Sequence, residues 1–394
     1  MADIAEALTE SPDVSLATIA KEWGRIGILG VGGPPAHITL LRRLCVTKTS
    51  WLTDADFEDG IAATNLLPGP ASTQLAIYCA WRLRRSAGAI VGGFFFILPG
   101  FAAILGLSAL FFTRHPPLLV SGASAGAGSA VAAVAIAAAS ALLGPSYRRM
   151  ASRTAPRTRW LCYLVLGATT AALAGEYLVA TLAFCGATEV VARHRTIGTR
   201  LHDLSPLFVL AGVVAAGGTG ALVWESFKVG ALSYGGGFVI IPLMQHDVVH
   251  VYHWMTNGQF LTAVALGQIT PGPVVLTVAA VGYAASRATG ALIATVCAFS
   301  PSFAFVLVGG PNFERLRSSP LAQAVLSGAG PAAIGGIAGS AIPLGLALTH
   351  AWQVVVLSAA LIWLVVLRKN IVVGLLLSAL AGLILAAAGL PVSR

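Results

Sequence analysis

The sequence predicts an all-α polytopic membrane protein made of two inverted-topology repeats, in which glycine and proline clusters break helices at corresponding positions. The first observation is composition: of 394 residues, 57% are hydrophobic and only 10% are charged, whereas soluble domains carry about 25% charged residues. The second is an internal repeat, and the third is the placement of its glycine and proline clusters inside apolar sequence. A water-soluble protein would need more polar surface, so the composition places the chain in a bilayer.

Nine apolar segments are long enough to cross about 30 Å of hydrocarbon, or most of it where protein covers them. The predicted spans are 87–112, 117–144, 160–175, 177–192, 205–219, 288–308, 321–348, 351–367 and 370–389. Regions 16–85 and 219–286 are also apolar, but glycine and proline clusters interrupt them. We expect broken helices in these two regions instead of plain spans.

The two broken regions repeat each other at an offset of 203 residues. Pro68-Gly69-Pro70 recurs as Pro271-Gly272-Pro273, and Gly32-Gly33 recurs as Gly235-Gly236. In the 63 ungapped pairs that begin at Glu22, 17 are identical. Similarity at a fixed offset is the signature of repeated architecture, so the sequence predicts an internal duplication.

We predict that residues 1–204 form the first repeat and residues 205–394 form the second, inverted repeat. Five predicted spans separate the two glycine pairs, and an odd number of crossings reverses orientation. The positive-inside rule agrees: 15 lysines and arginines lie in loops on one face, and the opposite loops hold only Arg114 and Arg287. The N-terminus is therefore predicted to lie on the cytoplasmic side. The protein is predicted to span the inner (plasma) membrane.

Inverted repeats with helices broken at corresponding positions are typical of secondary transporters. A half-helix that begins inside the membrane presents free N–H groups and the positive end of its dipole, which suit an anion. Half-helices starting at Pro70 and Pro273 would point at a central cavity. The alternative is that each Pro-Gly-Pro sequence only kinks a packed helix. The residues assigned to substrate binding on this basis are Gly32, Gly33, Asn65, Pro68, Gly69, Pro70, Ser72, Thr73, Gly235, Gly236, Gln268, Pro271, Gly272 and Pro273.

Arg25 and Lys228 are two further substrate-binding candidates, because they occupy equivalent positions in apolar helix. Charges inside membrane segments are costly and usually functional, and two symmetric cations would attract a dianion. Glu22 and Glu225 precede them by three residues and could instead neutralise them locally. A substrate could also displace these carboxylates, so Glu22 and Glu225 are proton-coupling candidates.

His37 follows the first glycine pair and is a candidate for binding the anion or carrying a proton. A histidine satisfied by a neighbouring carbonyl is an equally good interpretation. No acidic residue occurs between Gly60 and Gly175. A cation pathway normally needs carboxylates, so this scarcity favours an anion as the substrate.

Other classes of function find little support in the sequence. The basic residues flank apolar spans and build no continuous face for nucleic acid. His246, His250 and His253 could share one helical face, but the first repeat has no matching motif, so we predict no metal. We find no nucleotide-binding or hydrolase motif and predict neither a cofactor nor an enzyme.

Several motifs together resemble the chromate ion transporter family in its long, two-domain form. The first repeat carries Gly30-Val31-Gly32-Gly33-Pro34-Pro35-Ala36-His37 and Leu67-Pro68-Gly69-Pro70, and the second carries Gln268-Ile269-Thr270-Pro271-Gly272-Pro273. The resemblance implies a secondary transporter that exports chromate, with sulfate as the similar oxyanion, and confers chromate resistance. Its partners would be the oxyanion, the lipid bilayer and, as a candidate assembly, a second copy in a homodimer.

Two alternatives stay open at the level of sequence. Within transport, the chain could take up sulfate or another anion, because residues do not encode direction. From another class, it could be a membrane enzyme or a lipid scramblase. An enzyme should show clustered catalytic groups in a cavity, and a scramblase should show a polar groove open to lipid.

Overall fold

The computed structural model describes residues 14–64, 69–113, 116–151, 157–197, 218–233, 238–309 and 319–392. This described part contains helices and no strand. The first half holds α1 (Leu16–Leu29), α2 (Pro34–Arg42), α3 (Asp54–Thr64), α4 (Ala71–Phe111), α5 (Leu118–Ser129), α6 (Val131–Ala151), α7 (Arg157–Leu173) and α8 (Leu178–Ile197). The second half holds α9 (Gly218–Leu232), α10 (Ile240–His246), α11 (Asn257–Ile269), α12 (Thr277–Gly309), α13 (Pro320–Leu346), α14 (Ala351–Leu361) and α15 (Ile371–Ala387).

The architecture is that of an all-α polytopic membrane protein. Five described helical stretches are long and apolar enough to cross a bilayer by length and composition. Eight predicted spans coincide with helices, although the span 117–144 is divided at Ala130 into α5 and α6. The predicted span 205–219 lies almost entirely outside the described residues.

The two regions predicted to be broken consist of short helices followed by a helical hairpin. In α4 the backbone leaves the helical region at Arg84 and Arg85, whose φ is 47°. In α12 it does so at Ser286 and Arg287, whose φ is 51°. The chain folds back at each turn, since Gly88 lies against the carbonyl of Ala80 in α4 and Gly290 lies against the carbonyl of Gly282 in α12. Each hairpin therefore has a short first arm and a long second arm.

The turns correspond at an offset of 202 residues, not 203. The stretch between the second proline of Pro-Gly-Pro and the turn is one residue shorter in the second half, where a 3₁₀ turn over Val274–Leu276 precedes α12. Other irregularities recur at 203: a π-helical turn lies over Arg43–Lys48 and another over Asp247–Val251. The order of local elements is thus repeated, while the opposite membrane orientation of the halves stays a prediction.

Glycines allow the central helices to pack backbone to backbone. Gly27 of α1 lies against the carbonyl of Phe96, and Gly230 of α9 lies against the carbonyl of Ala298. Small residues permit such close approach, and this is how membrane helices associate where the hydrophobic effect is weak. The first helix of each half is therefore fixed to the long arm of its own hairpin.

The two hairpins also pack against each other at the centre of the molecule. Gly93 of α4 meets the ring of Phe303, and Gly100 of α4 meets the backbone of Pro271 and Gly272. Outside this centre, α13 packs on α7 and α8, while α15 packs on α5. The core of the fold is therefore the pair of hairpins, and the interruptions lie beside it.

Candidate functional site

The interruptions of the two halves are in direct contact. The backbone N–H of Gly272 donates to the carbonyl of Gly30 over 3.2 Å. Gly33 faces the side chain of Val274, the residue after the second Pro-Gly-Pro. Gly69 lies beside the carbonyl of Gly230, near the end of α9. Segments that lie more than 150 residues apart in sequence are thus neighbours in the structure.

Glycine is required at the centre of each Pro-Gly-Pro interruption. Gly69 has a φ of 122° and Gly272 has a φ of 101°, a region that residues with a Cβ rarely adopt. The prolines that follow, Pro70 and Pro273, remain extended and start the next helical segment. Since the first N–H groups of a helix have no partner within it, both segments present free donors near the interruptions.

His37 connects the first glycine interruption to the first Pro-Gly-Pro. Its side chain is fully buried, with Nε2 2.9 Å from the carbonyl of Gly30 and Nδ1 3.3 Å from the hydroxyl of Ser72. A carbonyl can only accept, so Nε2 donates, and the Nδ1 of a neutral imidazole then accepts from Ser72. His37 also packs edge-on against Phe96. The interpretation that a neighbouring carbonyl satisfies His37 therefore holds, and the carbonyl is that of Gly30 at the first interruption.

Buried polar atoms without a hydrogen-bond partner among the described residues flank the interruptions. Three of them are the hydroxyl of Thr73, the amide nitrogen of Gln268 and the hydroxyl of Ser233. Thr73 and Ser233 are completely buried, and Gln268 nearly so. Unsatisfied buried polar groups are costly and rare in native proteins. Their position beside the breaks makes them candidates for binding a ligand.

The hydroxyl of Ser302 is a fourth buried group without a described partner, and it follows Pro301 in the long arm of α12. At the 202-residue offset it corresponds to Gly100, which contacts the second Pro-Gly-Pro. Sequence analysis missed Ser302 and Ser233. The signal for Ser302 was a hydroxyl directly after a proline inside an apolar span.

Lys228 lies in a buried charge cluster instead of facing a substrate freely. Its ammonium is 2.6 Å from Glu225 and 2.5 Å from Asp247. The predicted pairing with Glu225 therefore forms. Sequence analysis missed Asp247, although it and Glu225 are the only acidic residues between 219 and 286.

Arg25 is placed differently from Lys228. It is exposed on α1, on the face opposite Trp23 and Ile26, and it borders an outer groove with Phe95 and Pro99. Among the described residues no ion pair joins Glu22 to Arg25. The symmetry of the two cations in sequence is thus not matched by their surroundings, and the structure does not bring Arg25 to the interruptions.

Some predicted residues cannot be placed. Asn65, Pro68, Gly235 and Gly236 lie outside the described residues. The remaining predicted positions at the interruptions are described: Gly32, Gly33, Gly69, Pro70, Ser72, Thr73, Gln268, Pro271, Gly272 and Pro273.

The three histidines considered for a metal do not form one cluster. The rings of His246 and His250 lie 5.7 Å apart, but His253 turns to the carbonyl of Val249. Within the described ranges, no group of three His, Cys, Asp or Glu side chains is arranged to hold a metal ion.

Comparison with known proteins gives the family. The family model described as "Chromate transporter" matches residues 17–191 and 220–383. The chromate transport protein of Cupriavidus metallidurans is 31% identical over 342 residues, which cover 85% of this chain and 84% of that protein. The chromate transport protein of Pseudomonas aeruginosa is 28% identical over 405 residues, which cover 91% and 95%. No solved structure gives a significant match. With both halves of the chain matched, this protein belongs to the chromate transporter family.

Proposed function

We propose that this protein is a secondary transporter that exports chromate across the cytoplasmic membrane by alternating access and thereby confers chromate resistance. The contact between Gly272 and Gly30 carries the proposal, because it brings interruptions from both halves to one place. Transporters built from repeats bind substrate where broken helices of the two repeats meet. The names of the relatives supply chromate as the substrate.

The chemistry around the interruptions supports an oxyanion. The groups that lack partners include hydroxyls at Thr73 and Ser302 and an amide nitrogen at Gln268, all of which can donate. The N–H groups at the start of α4 add backbone donors. A tetrahedral dianion has four acceptor oxygens, so hydrogen bonds from several directions would replace its hydration shell.

The start of α11 and the corresponding start of α3 lie at opposite ends of the molecule on the predicted topology. They differ in a way that supports an outward-facing state. A cavity of about 960 Å³ opens where α11 begins, and Asn257 and Gln259 line it. None of the described residues lining it is charged. On the predicted topology this end faces outward. An uncharged polar cavity is suited to releasing an anion.

At the other end, the corresponding start of α3 carries ion pairs that join it to neighbouring helices. Arg42 contacts Asp54 at 2.8 Å and Glu58 at 2.7 Å, and Arg82 contacts Asp56 at 2.8 Å. Burial raises the pKa of Asp56, but the Thr53 hydroxyl and the Arg82 guanidinium outweigh it and hold that pKa below its ordinary value. In alternating access, these pairs would separate when the cytoplasmic side opens.

The assignment of the site is tested by Thr73→Val, which removes one hydroxyl and keeps the shape. Because that hydroxyl has no described partner, we expect the variant to be at least as stable as the parent. A lost hydrogen bond to an anion costs about 1.5–3 kcal/mol, so chromate affinity should fall by about tenfold or more. Labelled chromate uptake into everted vesicles and a melting curve in detergent measure the two quantities.

The matched control is Thr295→Val, because the Thr295 hydroxyl bonds to the carbonyl of Ala291 within its own helix. It should transport chromate as the parent does. Parent-like transport by Thr73→Val would remove the site assignment. Loss of stability in Thr73→Val would give its hydroxyl a role in folding instead.

Direction and substrate are tested with the parent protein alone. Everted vesicles should accumulate labelled chromate when the potential is positive inside the vesicle, and vesicles of native orientation, with a potential that is negative inside, should not. Faster flux of labelled sulfate, or accumulation only in native vesicles, would favour an uptake transporter for sulfate or another anion.

A further inference from the structure

A chain of five titratable side chains leads from the buried interior to the surface beside the candidate site. It runs from Glu225 through Lys228, Asp247 and His246 to Glu176. The side-chain exposures increase in that order: 2%, 8%, 24%, 31% and 48%. His246 bridges the last step, with Nδ1 3.3 Å from Asp247 and Nε2 3.5 Å from Glu176.

The buried end of this chain lacks one positive charge. Glu225 and Asp247 contribute two negative charges and Lys228 contributes one positive charge, so the fully ionised cluster is negative. A net charge buried in an apolar interior is strongly unfavourable. One additional proton would make the cluster neutral.

The geometry identifies where that proton is held. Lys228 donates a hydrogen bond to Asp247 and forms an ion pair with one carboxylate oxygen of Glu225, so the two carboxyl groups share a single cation. The side chain of Glu225 is 2% exposed, whereas that of Asp247 is 24% exposed. Because burial penalises the charged form of a carboxyl group, the additional proton resides on the more buried of the two, Glu225.

We propose that Glu225 is a proton-binding site of this transporter and that Asp247, His246 and Glu176 form the path that connects it with the surface at the end predicted to face outward. The inference rests on the proposed function.

Gly230, two residues after Lys228, lies beside Gly69 of the first Pro-Gly-Pro. A dianion at the interruptions and the nearby negative cluster would repel each other, so by linkage anion binding favours proton binding. The proton then travels with chromate. The proton and the chromate dianion together carry one net negative charge, so an inside-negative potential drives them outward.

Other ionisable groups near the cluster do not compensate its charge. Tyr252 lies within electrostatic range of it, and the ring of His250 lies 5.7 Å from that of His246. On α8, Glu189 is occupied by Arg159, Arg193 and Tyr163. The helix α11 and the helix α13 carry no titratable residue, and the titratable residues of α12 are Tyr283, Arg287 and Cys297.

The experiment uses purified full-length protein in liposomes, with potassium and valinomycin to clamp the potential. A lumenal pH dye excited outside the chromate absorption band reports protons, and labelled chromate reports exchange under the same conditions. We expect inward chromate movement by the parent to acidify the lumen. Glu225→Gln should retain chromate exchange, which also shows that it is folded, and should lose the acidification.

Two further variants test the path and the position. His246→Gln and Glu176→Gln should each slow acidification while chromate exchange continues. The control is Asp59→Asn, which changes an exposed carboxylate on α3 outside the cluster and should acidify the lumen as the parent does. If Glu225→Gln loses exchange as well, a parent-like rate of acidification in both path variants would overturn the inference and a slower rate would support it.

The remaining outcomes separate the two proposals. Acidification by Glu225→Gln at the parent rate would mean that the proton travels on the anion, and would overturn this inference alone. Chromate flux by the parent without acidification would have the same consequence. Absence of any chromate exchange by the parent would remove the proposed function and this inference with it.

Discussion

At the scale of single residues, identical positions in the two halves have acquired different surroundings. Lys228 is buried between Glu225 and Asp247, whereas Arg25 at the equivalent position is exposed. The difference arises because α10 and the π-helical turn after it bring Asp247 against α9. A pair of related cations can therefore have unrelated roles.

This difference predicts unequal effects on stability. Lys228→Met should destabilise the protein by about 3–5 kcal/mol, because it leaves two carboxyl groups buried without their cation. Arg25→Met should change stability by no more than about 0.5 kcal/mol, since it is an exposed substitution. Thermal unfolding of both variants in the same detergent measures the contrast.

The origin of the loss can be checked with a compensated variant. Adding Glu225→Gln and Asp247→Asn to Lys228→Met removes all three charges, and stability should largely return. Equal melting temperatures for the two single variants would show that the charge cluster does not stabilise the fold.

At the scale of elements, the hairpins α4 and α12 hold the interruptions in place. Their sharp turns and the glycines beside them let each long arm return along its short arm. The long arm of α4 then contacts the second Pro-Gly-Pro through Gly100. An interruption in one half is thus supported by a helix of the other half.

Gly100→Ala tests this support. A Cβ at Gly100 would collide with the carbonyl of Pro271 and the side chain of Leu276, and overpacking of this kind costs about 1–3 kcal/mol. We expect a lower melting temperature and slower chromate transport. Gly106→Ala in the same arm is the control, because nothing lies within 4 Å of its Cβ. Equal behaviour of the two variants would contradict the proposed contact between hairpin and interruption.

At the scale of the whole molecule, the local elements of the two halves follow the same order, and their hairpins pack together at the centre. If the halves are inverted, the two hairpin turns lie on opposite membrane faces. Exposed residues just after these turns, Ser86 and Ala288, are equivalent at the 202-residue offset. They provide a matched pair for determining orientation.

We predict that Ala288→Cys reacts with a membrane-impermeant thiol reagent in intact cells and that Ser86→Cys reacts only in everted vesicles. The background should carry Cys162→Ser, because Cys162 is the exposed native cysteine among the described residues. Labelling of both positions from the same side would exclude inversion of the two halves.

The sequence by itself determined the membrane class, most helix positions and the location of the breaks. These features depend on local composition and on repetition, which can be read along the chain. It also indicated Thr73 and Gln268 as candidate binding residues, because each lies within a few residues of a Pro-Gly-Pro sequence. The ion pair of Lys228 with Glu225 could be predicted as well, because three residues separate them on one helix.

Only the tertiary structure decided which residues meet. The contact of Gly272 with Gly30, the inclusion of Asp247 beside Lys228 and the exposure of Arg25 all depend on how separate helices pack. Two residues at equivalent positions have the same local sequence signal, but their burial and electrostatic surroundings come from elements far away in the chain. Packing between helices, which no single segment encodes, is therefore what distinguishes the two halves.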